Sequence, residues 1–432
     1  MSAVPHKLPH LTASPRWLGT MRILVLVAAV SAIVLGLVIG CVSLAAAMLS
    51  DQADLVSTAT FAAAIVALTL TLGLALAWHA WRAGHGHPSI AFRPRNVGLW
   101  ILLYVIILAV GQIILTLDLL PVITFPPFHV AGAALPALIV LALVARALAG
   151  TITWRDLSLQ MASGALLSTA AAFLLEAAAI VVFVVAALLG LAVRPGGRVL
   201  LQSLSASLDN PAWMQDPNFL APTLASPILV GLAFTLFAGI VPIVEEAVKT
   251  VGVGLRAYRR PSMAQCYLWG MAGGAGFAVV EALLNTLGGL EIWAPMAALR
   301  AAATLLHCTT GALMGLAWYH VLTRRRWASA LGLYGTAVAI HALWNSISAS
   351  MTLISLRSVS GQVANSGQLL AGMAAFALLA TLLGLALGMV LILTLLTSHV
   401  RRATGTEPAE QEGLASMVGP GDAAAGMPQG PG

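Results

Sequence analysis

Apolar runs long enough to cross the roughly 30 Å hydrocarbon layer of a bilayer recur along most of this chain. Only 8% of its 432 residues are charged, against 60% hydrophobic, whereas a soluble domain carries about 25% charged residues to build its wetted surface. Membrane helices are therefore the starting point. Windows of membrane-spanning length place helices near 22–49, 57–81, 98–120, 129–149, 161–193, 225–255, 264–288, 297–321, 328–350 and 368–398. The expected fold is all-α, a polytopic membrane protein with about ten transmembrane helices.

The connecting charges test that count independently. Lys7, Arg16 and Arg22 precede the first helix, and Arg82, Arg93 and Arg95 follow the second. Arg146 and Arg155 follow the fourth, Arg256, Arg259 and Arg260 the sixth, Arg324, Arg325 and Arg326 the eighth, and Arg401 and Arg402 the tenth. The other side keeps only Arg194, Arg198, Arg300 and Arg357. Short cytoplasmic loops hold an excess of Lys and Arg, so this alternation predicts both termini in the cytoplasm and a multi-pass protein of the plasma membrane. The same dispersal removes nucleic acid as a partner despite a net charge of +6, because nucleic-acid binding needs the basic residues gathered on one soluble face. Cys41, Cys266 and Cys308 lie in or beside apolar segments and give no disulfide framework.

Six regions follow from this reading: a disordered cytoplasmic segment 1–20, accessory helices one to five over 21–193, and an extracytoplasmic loop 194–224. A core of helices six to nine then covers 225–350, the last helix 351–400, and a disordered cytoplasmic tail 401–432. Within the loop, Leu200-Leu201-Gln202-Ser203-Leu204 suits a short amphipathic segment on the membrane surface or an ordinary connector.

Ionisable groups at membrane depth are where chemistry is expected, since a charge at the bilayer centre costs at least ~2.5–3.5 kcal/mol. Helices one to four carry almost none, the fifth carries Glu176, and the sixth to ninth carry Glu245, Glu246, Lys249, Glu281, His307 and His341. Glu245 and Lys249 stand one helical turn apart in the favourable order, with Glu246 turned about 100° away. Two adjacent carboxylates repel in a low dielectric, and the single Lys249 holds one of them charged, an arrangement suited to activating water. A buried ion pair that merely locks helices together is the plainer reading of this motif alone. On helix seven Phe277, Glu281 and Asn285 repeat every four residues behind Gly270, Gly273, Gly274 and Gly276, so a stripe faces a partner helix through a small-residue surface. His307, Gly311 and Gly315 form a similar stripe on helix eight, and His341 and Asn345 share a face of helix nine. Counting inward from the basic ends at 1.5 Å per residue puts Glu245 about 16 Å deep, His341 about 22 Å and His307 about 25 Å, whereas Glu281 counts to about 31 Å. The first three can meet near the middle of the membrane.

In order and chemistry these residues resemble the PrsW family of intramembrane proteases, relatives of the CAAX-processing and bacteriocin-immunity membrane proteases. Glu245-Glu246-x-x-Lys249 corresponds to the family's paired-glutamate motif, Phe277-x-x-x-Glu281 to its second, His307 with Gly311 to its third, and His341-x-x-Trp344-Asn345 to its fourth. One position departs: Ala282 follows Glu281 where the family usually has Asn, and Asn285 lies a turn later. The resemblance implies peptide-bond hydrolysis inside the bilayer, acting on membrane-anchored protein substrates such as anti-sigma factors. It assigns catalysis to Glu245, Glu246, His307 and His341, with Lys249, Phe277, Glu281 and Asn345 in support. No H-E-x-x-H pair is present, which favours a cofactor-free glutamic mechanism, the alternative being zinc held by Glu245, His307 and His341. Rival readings of the same buried groups are an ion-coupled carrier, which would use them to relay protons, and a non-catalytic scaffold.

Overall fold

The computed structural model describes residues 15–49, 54–148, 150–193, 197–208, 226–257, 261–359 and 365–405. Ten of its helices are long and apolar enough to cross a membrane, and among the described residues the only β pairing is one bridge between Ala91 and Thr153. The chain is a multi-pass, all-α membrane protein. In order the elements are α1 (Pro15–Met48), α2 (Leu55–Gly84), α3 (Val97–Thr116), α4 (Pro126–Ala147) and α5 (Trp154–Ala192). They continue with the short α6 (Gly197–Leu208), then α7 (Pro227–Gly254), α8 (Met263–Asn285), α9 (Trp293–Tyr319), α10 (Trp327–Val359) and α11 (Asn365–Thr404).

Starts are set by side chains that satisfy the first free amides. Asp54 accepts from the amides of Val56 and Ser57 before α2, Thr153 and Asp156 form a reciprocal capping box at α5, and Ser262 with Gln265 does the same at α8. Several expected boundaries change. Residues 15–20 and 401–404 are helical where disorder was expected, because Pro15 is tolerated in a first helical turn and Arg401 and Arg402 complement the negative end of α11. The loop segment near 200–204 lies within α6, and α10 runs on to Val359, past the expected end at 350. The remaining residues of 1–20, 194–224 and 401–432 fall largely outside the described residues.

α8 occupies the centre. In its most apolar window 89% of residues are buried within the protein, and it packs on α4, α5, α7, α9 and α11. Its small residues make this possible: a Cβ on Gly270 would overlap the carbonyl of Gly311, and one on Gly274 the carbonyl of His307. From the other side, a Cβ on Gly315 would overlap the carbonyl of Cys266. The backbones of α8 and α9 thus meet along the expected stripes, and close van der Waals packing supplies the attraction that water cannot supply in lipid.

α7 is irregular where the sequence gives it reason to be. Residues Thr235–Ile240 form a π turn in which the Val241 amide donates to the Leu236 carbonyl. The next donor in that register would be Pro242, which has no N–H, so the Phe237 carbonyl is left open. Asn345 of α10 fills it, Nδ2 donating at 2.9 Å. The helix then breaks at Thr250 (φ −118°, ψ 22°) just after Lys249. There the Ser168 hydroxyl of α5 donates to the Lys249 carbonyl and the Trp318 indole of α9 to the Thr250 hydroxyl.

Gly274→Ala should lower stability by about 1–3 kcal/mol through overpacking. Gly332→Ala, where nothing lies within 4 Å of the added methyl, should be neutral or gain up to about 1 kcal/mol from helix propensity. Thermal unfolding of the two variants in one detergent would expose the reverse order if α8 and α9 were not in backbone contact.

Candidate active site

The four helices α7 to α10 deliver their ionisable side chains to one buried cluster. Glu245, Glu246, Lys249, His307 and His341 are all buried, Glu246 and Lys249 completely. The Lys249 ammonium is its hub. Nζ lies 2.6 Å from Glu246 Oε1, 2.8 Å from His307 Nδ1 and 3.9 Å from Glu245 Oε2. The closest carboxylate is therefore Glu246, three residues before Lys249, where the helical order favoured Glu245, four before it. Both spacings bring side chains to one helical face, and Glu246 is drawn in by a second partner, His341, whose Nδ1 stands 2.8 Å from the same Oε1.

These contacts assign proton positions. An ammonium only donates, so His307 Nδ1 must accept, which places the ring proton on Nε2. That nitrogen stands 2.5 Å from Glu281 Oε2. His341 donates from Nδ1 to the Glu246 carboxylate, which leaves Nε2 pointing at Glu245 Oε2 across 3.7 Å. The Glu245 oxygen is buried with no hydrogen-bond partner among the described residues. The two imidazoles meet edge to face at 5.2 Å, and the Phe277 ring lies 5.6 Å from His307 and 5.1 Å from Lys249 Nζ, closing that side of the cluster with an apolar, cation-attracting face.

Glu281 joins the cluster from the far end. α8 is unbroken over Met263–Asn285, which keeps the count from Arg260 that sets Glu281 deeper than His307, and the two side chains still meet across the α8–α9 contact. Arg300 balances its charge, Nη2 lying 2.9 Å from Oε1, and the Asn285 amide donates to the same oxygen at 3.2 Å. Asn285 thus serves Glu281 rather than the histidines. Asn345 does not reach the carboxylates, its amide being committed to Phe237. Arg300, a loop charge by sequence reasoning, belongs to the cluster. Its spacing of seven residues before His307 puts both on one face of α9, and that was the available signal. Glu176 of α5 lies within electrostatic range of Glu245, Glu281 and Lys249, and its Oε1 is buried without a hydrogen-bond partner.

Glu245, His307 and His341 also present ligand atoms within 4.8 Å of one another, the one such group of His, Cys, Asp and Glu among the described residues. Two nitrogens and a carboxylate oxygen make a donor set that suits catalytic zinc. His341 further resembles a metal ligand in that its second nitrogen is anchored on a carboxylate, which fixes ring and tautomer. The donors fit in type and number. His307 would have to give up Lys249 or Glu281 to take part, since each of its nitrogens already faces one of them.

A family model described as PrsW family intramembrane metalloprotease matches residues 152–379, from the start of α5 into α11 and a little over half of the chain. No curated protein and no solved structure matches the chain.

Removing one partner of a buried ion pair leaves the other uncompensated, at about 3–5 kcal/mol. Lys249→Met should lose that much stability, and Lys249→Met combined with Glu246→Gln should regain at least half of it. Additive losses in the double variant, measured by unfolding in detergent, would show that the two side chains are not coupled.

Proposed function

The chain belongs to the PrsW family of intramembrane metalloproteases, and from that premise we propose that it cleaves membrane-anchored proteins with water activated by Glu245. Intramembrane proteolysis follows from the family. The chain performs it by the glutamic route, in the plasma membrane, on single-span regulators of the anti-sigma kind. The observation that carries it is the Glu245 Oε2 atom, buried, without a hydrogen-bond partner, and 3.7 Å from the open nitrogen of His341.

In this mechanism Glu245 takes a proton from water as the oxygen attacks the scissile carbonyl carbon. It then hands that proton to the amide nitrogen as the C–N bond breaks, leaving a carboxylate and an amine. Glu246 acts through others: it accepts from His341 and Lys249 and so fixes both. Lys249 supplies the positive charge that favours the developing oxyanion in a buried site of low dielectric. Lys249 polarises the carbonyl, while His341, whose Nε2 carries no proton when Nδ1 donates to Glu246, accepts from the attacking water beside Glu245. His307, with both nitrogens engaged, positions Lys249 and couples it to Glu281 and Arg300.

The metal-dependent version has an observation of its own in the Glu245, His307 and His341 donor set. A divalent ion there would supply Lewis-acid polarisation and water activation. The glutamic type is favoured because the cluster already holds a cation: Lys249 lies against His307 and 3.9 Å from Glu245, where it would repel a second positive charge.

Glu245→Gln should reduce cleavage of a co-expressed single-span substrate by about 10²–10⁴-fold while the protein stays in the membrane. Wild-type cleavage in this variant, followed by immunoblot, would remove Glu245 as the base. For the catalytic type, purified protein incubated with a strong chelator should keep its activity. Loss on chelation with recovery on adding zinc would assign the metal-dependent version instead.

A further inference from the structure

A second polar feature lies away from the cluster, at the basic end of α2 and α5. A cleft of about 240 Å³ opens there, lined by Trp78, His79, Arg82, Ser89, Trp154 and Arg155 among others, and no Asp or Glu among the described residues lines it. The neighbouring acid, Asp156, is buried and paired with Arg256. The described lining residues thus include two arginines and a histidine and no carboxylate.

The cleft is built rather than incidental. The segment before α3 is tied to the start of α5 by the Phe92 amide on the Ile152 carbonyl and by the Trp154 amide on Ile90, at 2.9 and 3.0 Å. The Arg155 amide donates to the Ser89 hydroxyl and its guanidinium to the His87 carbonyl, which sets the direction of that side chain. Phe92 packs edge-on against Trp154 at 4.8 Å, and Trp78 stacks on Trp81 at 5.5 Å. Arg82 lies 5.8 Å from the Trp78 ring.

Beside these cations the rim is apolar and exposed: Trp78 is 54% exposed, Trp154 46% and Ile90 68%. Tryptophans at the end of a membrane helix sit at headgroup level, and basic pockets between membrane helices there accept phosphate. A soluble phosphate would need the cations but has no use for the apolar rim, whereas a lipid uses both. We propose that this cleft binds the phosphate headgroup of an anionic phospholipid, with Arg82, Arg155 and His79 on the phosphate and Trp78, Trp154 and Ile90 against the upper acyl chains. Most of the cleft comes from residues before 152, ahead of the stretch that the family model covers, so it is a feature of this chain's first helices and is independent of the proteolytic reading.

The test uses the full chain, purified and delipidated in detergent, with native mass spectrometry following added phosphatidylglycerol, phosphatidylcholine of the same chains, or inorganic phosphate. One phosphatidylglycerol should bind more tightly than phosphatidylcholine. Arg82→Gln should weaken it about fivefold, the equivalent of about 1 kcal/mol for one basic residue at a lipid surface. Arg95→Gln, an exposed basic residue outside the cleft, should leave it unchanged. His79→Gln supplies a second lining variant should Arg82→Gln fold poorly, and it too should weaken binding. Equal affinity for the two lipids, or equal weakening by Arg82→Gln and Arg95→Gln, would overturn the proposal. Displacement of phosphatidylglycerol by millimolar inorganic phosphate would assign the cleft to a soluble anion and overturn the lipid.

Discussion

The ammonium of Lys249 is the contact on which the interior of this protein depends. Three carboxylates, those of Glu245, Glu246 and Glu281, stand inside the bundle at membrane depth, and among the described residues the cations paired with them are Lys249 and Arg300, beside the two histidines. Stripped of water, charges of one sign cannot share such a volume, so the cluster persists because each acid has a basic partner at close range. Lys249 binds the two ends of the system together. It reaches back to Glu246 and across to His307, and His307 passes the connection to Glu281 on the next helix.

That network requires helix axes closer together than large side chains permit. Gly270 and Gly274 against Gly311 and Gly315 remove the side chains between α8 and α9, so that His307 reaches over to Glu281. The irregular turns of α7 do complementary work. Pro242 denies a donor to Phe237, α10 takes up the vacancy through Asn345, and the same helix pair then brings His341 onto Glu246 and close to Glu245. The break at Thr250 interrupts α7 immediately beyond Lys249, where α5 and α9 satisfy the freed polar groups. Packing and chemistry are therefore two readings of one set of residues: those that permit close approach also fix where the donors stand.

Much of this was legible beforehand. Ten spans were readable because hydrophobic length and the alternation of basic loops are both one-dimensional properties. The meeting of Glu245, His307 and His341 was readable as well, since helical periodicity gives a face and rise per residue gives a depth. Partner choice was not. Glu246 rather than Glu245 holds Lys249 closest, Asn345 serves a carbonyl and not a carboxylate, and Arg300, counted as a loop charge, neutralises Glu281. Each of these rests on angstrom-scale competition between neighbours of the same helical face, which spacing cannot rank.

By itself, then, the sequence determined the solvent this chain folds in, the number of its helices and which of their faces carry polar groups, because those follow from transfer free energy and from a repeat of 3.6 residues per turn. Tertiary structure alone decided which atom of each polar group finds which partner. It left one oxygen of Glu245 and one nitrogen of His341 facing each other without a hydrogen bond. The reason is that the direction of a buried side chain is set by the neighbouring helices that leave it room, and those neighbours are distant in the sequence.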